Sequence, residues 1–387
     1  MSGLVKLLQV ITPPQAAPLS REYDGLEFRW KMFSFRPAAF KFEAAVLSIV
    51  GFYLLIYLVG KSINSGRAKS TIKPFESLLS NQFSQLKGLL SSSPSLYLLY
   101  GSGRRNLLSL HTTISLYPIH DLAGLIINFV KSIIEPTFNN NELIQFDFTL
   151  GRGELGLQSQ DSLGVWSIVD KSALRETREK RWDLTFAKLN DSAPGIPITH
   201  ALFTEHVEIT DILLKTPNIG ISEVLNDKNA ASVLKYLLIS DVTGTRPSKG
   251  ALSSKAKSRH IILSVCKPTN QAQIEGIKSW IQVVFNIIDL IGNKQSTQSQ
   301  LLKPEISKKL IKTRQQVDID LSLDYKKEQD EYKEPEETIE DRRAAKKRAE
   351  REKLSEKELK KLQDLEKKRE LRKLQKRQAT AGGAGGR

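Results

Sequence analysis

Ala44-Ala45-Val46-Leu47-Ser48-Ile49-Val50-Gly51-Phe52-Tyr53-Leu54-Leu55-Ile56-Tyr57-Leu58-Val59-Gly60 runs without a charge, between Lys41 and Glu43 on one side and Lys61 on the other. As a helix, residues 44–60 reach about 26 Å. That is close to the roughly 27 Å hydrocarbon core of the endoplasmic reticulum bilayer. An uncharged run of this length with charged brackets reads as a membrane span rather than a core helix. It starts too far into the chain for a cleaved signal peptide and lacks a small-residue cleavage site, and the short apolar run at the start of the chain is broken by Lys6.

The flanks set the expected orientation. Arg29, Lys31, Arg36 and Lys41 precede the span, and Lys61, Arg67, Lys69 and Lys73 follow it, so the positive-inside count is a tie. We assign residues 1–43 to the lumen and the rest to the cytosol. A short segment is easier to translocate than a folded domain, and a basic tail finds its polyanions in the cytosol. Ser48, Gly51 and Gly60 offer small surfaces where another helix can approach closely.

Beyond the span, Phe75, Leu78, Leu79, Phe83, Leu86, Leu89 and Leu90 recur at helical spacing. They predict a juxtamembrane amphipathic helix and linker over 61–95, stopped at Ser91-Ser92-Ser93-Pro94. Residues 96–300 then mix the two periods. Strands are expected at 106–117, 144–150, 165–169, 202–209, 233–239 and 260–265. Helices are expected between Pro118 and Pro136, over 171–182, and from Ile274 to Ile291. The last is interrupted by Gln282, Asn286 and Asp289, which excludes a second span. The fold class is α+β: one transmembrane helix, a cytosolic α+β domain, and a long basic C-terminal helix of coiled-coil-like composition over 301–378. The Gly/Ala end at 379–387 is expected to be disordered.

The formal net charge is +15, and residues 341–378 hold 17 Lys/Arg against 8 Asp/Glu, so most of the excess sits in the tail. Such a local surplus points to a polyanion. The tail is rich in strong helix formers, and its few leucines keep no strict heptad, so a dimeric coiled coil is not required. Two dense clusters are the expected polyanion contacts: Arg342, Arg343, Lys346, Lys347 and Arg348, then Lys367, Lys368, Arg369, Arg372, Lys373, Lys376 and Arg377. A Ser/Gly/Pro-rich loop carrying Arg246, Lys249, Lys255 and Lys257 is a possible second phosphate contact, or simply a solvated hairpin tip.

Catalytic signals are weak. Gly151-Arg152-Gly153-Glu154-Leu155-Gly156 matches a dinucleotide fingerprint, but a strand rather than a helix is expected after it, so it reads as a turn. Gly101-Ser102-Gly103-Arg104 is likewise a turn. Of the five histidines only His200 and His206 lie close in sequence, and the single Cys266 is remote, so neither a metal site nor a disulfide is expected. No nucleophile motif is present. The reading is a non-enzyme without cofactor.

The order of several local stretches resembles the calumin family, also called coiled-coil domain-containing protein forty-seven, a subunit family of the PAT complex of the endoplasmic reticulum. The stretches are Ile63-Asn64-Ser65; Tyr97-Leu98-Leu99-Tyr100-Gly101-Ser102-Gly103-Arg104; Lys171-Ser172-Ala173-Leu174 with Asp183-Leu184; Glu208-Ile209-Thr210-Asp211; and Lys312-Thr313-Arg314-Gln315-Gln316-Val317. The resemblance implies a protein beside the Sec-type translocon that binds the translating ribosome through its basic tail. With the small membrane partner Asterix it would form an intramembrane chaperone for nascent multipass proteins. Animal members carry an acidic luminal segment linked to calcium. Here four acids, Glu22, Asp24, Glu27 and Glu43, precede the span, a departure from that acidic segment. A tether whose tail grips anionic lipid or another protein is the alternative. The tail's lack of a broad apolar face with Trp or Phe disfavours lipid.

Overall fold

In the computed structural model, the described residues are 25–30, 33–135, 141–151, 163–216, 218–253, 257–296, 302–352, 365, 367 and 368. The Gly/Ala end and most of the 151–156 glycine motif lie outside them. The chain forms two compact units, Met1–Arg246 with Leu252–Gln315, and Pro247–Ala251 with Gln316–Arg387.

In the first unit a short hairpin, β1 (Phe28–Trp30) and β2 (Phe33–Phe35), precedes helix α1, which runs unbroken for 42 residues, Lys41–Gln82. Its two halves differ in the way the sequence dictates. Around the expected span, Leu47, Ile49, Phe52, Leu55 and Leu58 are all exposed, as apolar side chains meant for lipid would be. After Gly60, the residues Asn64, Ala68, Ile72, Phe75 and Leu79 are buried along one face. One helix therefore joins a candidate membrane span to part of a protein core.

The helix stops at Gln82, short of the Leu90 that helical spacing suggested. Leu86, Leu89 and Leu90 belong instead to β3 (Gln85–Ser91), which pairs with β4 (Leu96–Ser102) through an irregular register between Lys87 and Leu90. Three leucines cannot separate the two periods over so short a run, and sheet pairing decides.

Next come β5 (Leu107–Ser115), α2 (Leu122–Ile134), β6 (Leu143–Leu150), β7 (Trp166–Asp170), α3 (Leu174–Lys180), β8 (Lys188–Asn190) and β9 (His200–Thr204). Then follow α4 (Val207–Lys215), α5 (Ile221–Asn226), α6 (Lys228–Val233), β10 (Leu234–Ser240), β11 (Arg259–Cys266) and α7 (Gln271–Ser296). The expected strand at 202–209 ends at Thr204. His206 accepts the Glu208 N–H and starts α4, which buries Ile209 and Leu213 four residues apart, a helical rather than alternating pattern.

Strands β3 to β11 form one antiparallel sheet of nine described strands, in the order β3-β4-β5-β6-β11-β10-β7-β9-β8. One face carries Leu110, Phe146, Phe148, Ile168 and Leu263 into the main core with α1 and α7. Phe285 of α7 meets Phe148 at 5.8 Å and Phe83 at 6.1 Å between ring centres, and Trp280 donates its indole N–H to the Ala230 carbonyl at 2.9 Å. On the other face, Val165, Val169, Leu184, Phe203, Leu238 and Ile262 form a smaller core. Helix α8 (Pro304–Glu352) follows for 49 residues; Leu302 just before it and Leu310 within it are buried in the main core.

Candidate functional site

Two joints tie this scaffold to its outer parts. The first fixes the root of the basic arm. Arg314, on the second turn-pair of α8, donates to Glu205 through both Nη1 and Nη2 at 3.0 and 2.5 Å, and to Asp241 Oδ1 through Nη2 at 2.9 Å and Nε at 3.2 Å. Its guanidinium also lies 5.2 Å from the centre of the Phe186 ring. Burial opposes its charge, but Asp241 and Glu205 outweigh that and raise its pKa above the ordinary value. Glu205 in turn accepts the Val165 N–H at 3.0 Å. A planar fork is the side chain suited to bridging two carboxylates in this way. In the sequence Arg314 stands out only as part of the Lys312-Thr313-Arg314-Gln315-Gln316-Val317 stretch. Its partners lie 109 and 73 residues away, beyond any local pattern.

The second joint fixes α1. Asn64 is wholly buried and donates to the Tyr117 carbonyl at 3.0 Å. Glu142 accepts from the Tyr117 N–H at 3.0 Å, from Lys267 Nζ at 3.0 Å and from Arg67 at 2.6 Å. Burial would raise the Glu142 pKa, yet the Tyr117 N–H and the two cations together hold it below its ordinary value. At Gly60, a Cβ would meet His120 Cα at 2.6 Å. Gly60 is thus taken up by the chain itself, whereas a Cβ at Gly51 would meet nothing. Ser48 bonds back to the Ala44 carbonyl at 2.7 Å.

The basic residues are distributed as follows. Arg342, Arg343, Lys346, Lys347 and Arg348 lie within α8, at spacings that place 342 with 346 and 343 with 347 along the helix. Lys367 and Lys368 are helical and exposed; Arg369, Arg372, Lys373, Lys376 and Arg377 lie outside the described residues. The described residues of the loop between β10 and β11 form no helix or strand, Arg246 and Lys249 are exposed on it, and Lys255 is outside the described residues. In the second unit the loop tip packs on α8, where a Cβ at Gly250 would lie 3.5 Å from Tyr325. That contact is about 26 Å along the helix from Arg342. The tip and the first cluster therefore do not share one site.

One arrangement has the hydrogen bonds of a nucleophile relay. Ser258 bonds His260 Nε2, and His260 Nδ1 bonds Asp147 at 2.7 Å. Hydrolysis would need, in addition, donors for an oxyanion and a substrate cleft. Ser258 and His260 flank the start of β11, next to β6, which carries Asp147, and the trio reads as a tie across these strands. His200 bonds Thr199 through Nδ1 at 2.9 Å, and His206 caps α4, so the two neighbouring histidines serve separate local tasks. Among the described residues, no three His, Cys, Asp or Glu side chains come together as metal ligands.

Comparison with known proteins fits this layout. The model of the family described as PAT complex subunit CCDC47 matches residues 39–373, from the start of α1 into the tail. A fission yeast protein, UPF0674 endoplasmic reticulum membrane protein C2G5.01 of Schizosaccharomyces pombe, is 25% identical over 288 residues, covering 71% of this chain and 73% of its own.

Proposed function

Because this chain belongs to the PAT complex subunit CCDC47 family, whose match spans the membrane helix, the sheet domain and most of the tail, we propose that it is a ribosome-docked subunit of an intramembrane chaperone in the endoplasmic reticulum. In this reading α1 crosses the bilayer with its N-terminal side in the lumen, and the sheet domain stands in the cytosol beside a Sec-type translocon. The two basic clusters grip ribosomal RNA. A small membrane partner of the Asterix kind completes the chaperone, and nascent multipass proteins are its clients.

The observation that supports the reading most is the root at Arg314. A solvated basic helix on a slack linker would only concentrate charge near the membrane. A helix whose start is locked to the domain by a buried guanidinium between two carboxylates roots the basic tail on the domain itself. A tether to anionic lipid is the competing reading. Sedimentation of the detergent-solubilised full chain with ribosomes, in parallel with flotation on phosphatidylserine vesicles, separates them: retention by ribosomes alone supports the chaperone subunit, and retention by vesicles alone rejects it.

A further inference from the structure

Helix α2 is 13 residues long and has no buried residue. Ile126, Ile127, Phe129, Val130, Ile133 and Ile134 are all exposed, between 44 and 75%. At 3.6 residues per turn they cover one broad side, while Asn128, Lys131 and Ser132 share the narrow other side. Six large apolar side chains in contact with water on one short helix form a patch that a soluble surface does not leave open.

The chain takes a detour to build it. Strands β5 and β6 are adjacent and antiparallel, so a tight turn would connect them. Instead both ends of the excursion are pinned together, Tyr117 N–H to Glu142 Oε1 at 3.0 Å, and the segment between them is sent out to α1. There the Tyr57 and His120 rings meet edge to face at 5.8 Å, and Tyr53 OH lies 3.5 Å from Asp121 Oδ1. Asp121 also caps α2 by accepting the Ala123 N–H at 3.1 Å. Tyr53 lies about 10 Å before Gly60 along the helix axis. The start of α2 is therefore level with residues inside the span, not beyond its end. That depth matches the roughly 5–10 Å at which the apolar face of an interfacial helix is buried.

We infer that α2 lies in the membrane interface, with its Ile126–Phe129–Val130–Ile133 side among lipid acyl chains and Lys131 toward the headgroups. At about 20 Å it is too short to cross the bilayer, and a helix satisfies its own backbone hydrogen bonds there. The protein then meets the membrane at two places, a span and a flat helix, which fixes the tilt of the sheet domain against the bilayer. Lipid is the occupant because the patch continues the exposed apolar surface of α1. The inference rests on the membrane-spanning reading of α1.

The test uses the full chain with Cys266→Ser, reconstituted in phosphatidylcholine vesicles, with one nitroxide label at a time on Ile49→Cys, Phe129→Cys, Ile133→Cys or Lys215→Cys. Labels at 129 and 133 should collide with dissolved oxygen and be shielded from a water-soluble nickel chelate, as at 49 and unlike 215. Nickel access at 129 and 133 with shielding at 49 overturns the inference and spares the span. Nickel access at 49 removes both. Shielding of 129 and 133 from oxygen and nickel alike means a protein surface covers the helix, such as another membrane segment, and also overturns the lipid assignment.

Discussion

Arg314 on α8 and Glu205 at the end of β9 are joined by two hydrogen bonds across 109 residues of sequence. They are the point at which the tail becomes part of the domain. Asp241 closes the other side of the guanidinium, so the cation is held by two carboxylates in a site where all three side chains are nearly buried.

Removing the cation leaves two buried carboxylates facing each other. Arg314→Ala should lower the stability of the sheet domain by about 3–5 kcal/mol, read as a fall in the thermal unfolding midpoint. Arg314→Lys should recover only part of it, because one ammonium cannot serve both carboxylates bidentately. An Arg314→Ala protein that melts with the parent would show that the tail root is not anchored here.

The Glu142 joint should be sensitive to acid. Its folded pKa lies below the ordinary 4.5, so the stability it supplies is complete above that value and is lost as pH falls through the folded pKa. Glu142→Gln should therefore be destabilised relative to the parent at pH 7, with the gap closing in acid below about pH 4. Denaturant unfolding at both pH values checks this, and a gap that stays constant or widens on acidification contradicts it.

Two glycines of the same helix should behave oppositely. Gly60→Leu drives a side chain into the His120 backbone and should loosen the joint, exposing residues 117–121 to limited proteolysis. Gly51→Leu enters open space. It should leave the fold and the membrane insertion intact and weaken only co-purification of a membrane partner packed on that small surface. Unchanged partner recovery from the Gly51 variant would remove the packing role.

Asn190-Asp191-Ser192 is the single glycosylation sequon of the chain. Asn190 lies on the edge strand β8 and is exposed, so burial does not protect it. In the proposed orientation it faces the cytosol and stays unmodified. A glycosidase-sensitive mass shift that disappears in Asn190→Gln would place the domain in the lumen.

The parts of this architecture written in local periodicity were legible. The charge-free run gave the apolar first half of α1, alternation gave β5, β6 and β11, and the apolar stripe from Ile274 gave α7. Leu86 to Leu90 misled because three leucines fit either period and a neighbouring strand decided the matter. The α2 stripe was visible as a helix face, but an apolar face in a sequence is ordinarily read as core. That this one is turned outward is seen only in the exposure of Ile126, Phe129, Val130 and Ile133 in the folded chain. Glu205, Asp241, Asn64 and Glu142 had no signal at all, since buried ion pairs and bolts are made by residues far apart in the chain.

The tail carries the remaining prediction. If residues 341–378 bind ribosomal RNA, the attraction is to phosphate, and each phosphate neutralised releases counterions. The logarithm of affinity then falls with the logarithm of salt by nearly one per contact on duplex. Lys and Arg on a solvated helix read charge and shape, so no base specificity is expected. Arg342 lies about 26 Å along α8 from Tyr325, which the loop tip at Gly250 meets, so the tail and the loop should have separable effects. Reversing Lys367, Lys368, Arg369, Arg372, Lys373, Lys376 and Arg377 to Glu should abolish sedimentation with ribosomes while leaving membrane insertion and the thermal unfolding of the domain unchanged. Reversing Arg246, Lys249, Lys255 and Lys257 should only weaken it. Binding that survives the tail reversal and about 0.5 M salt, where surface charges are screened beyond a few ångströms, would assign the ribosome contact to the sheet domain and leave the arm as a spacer.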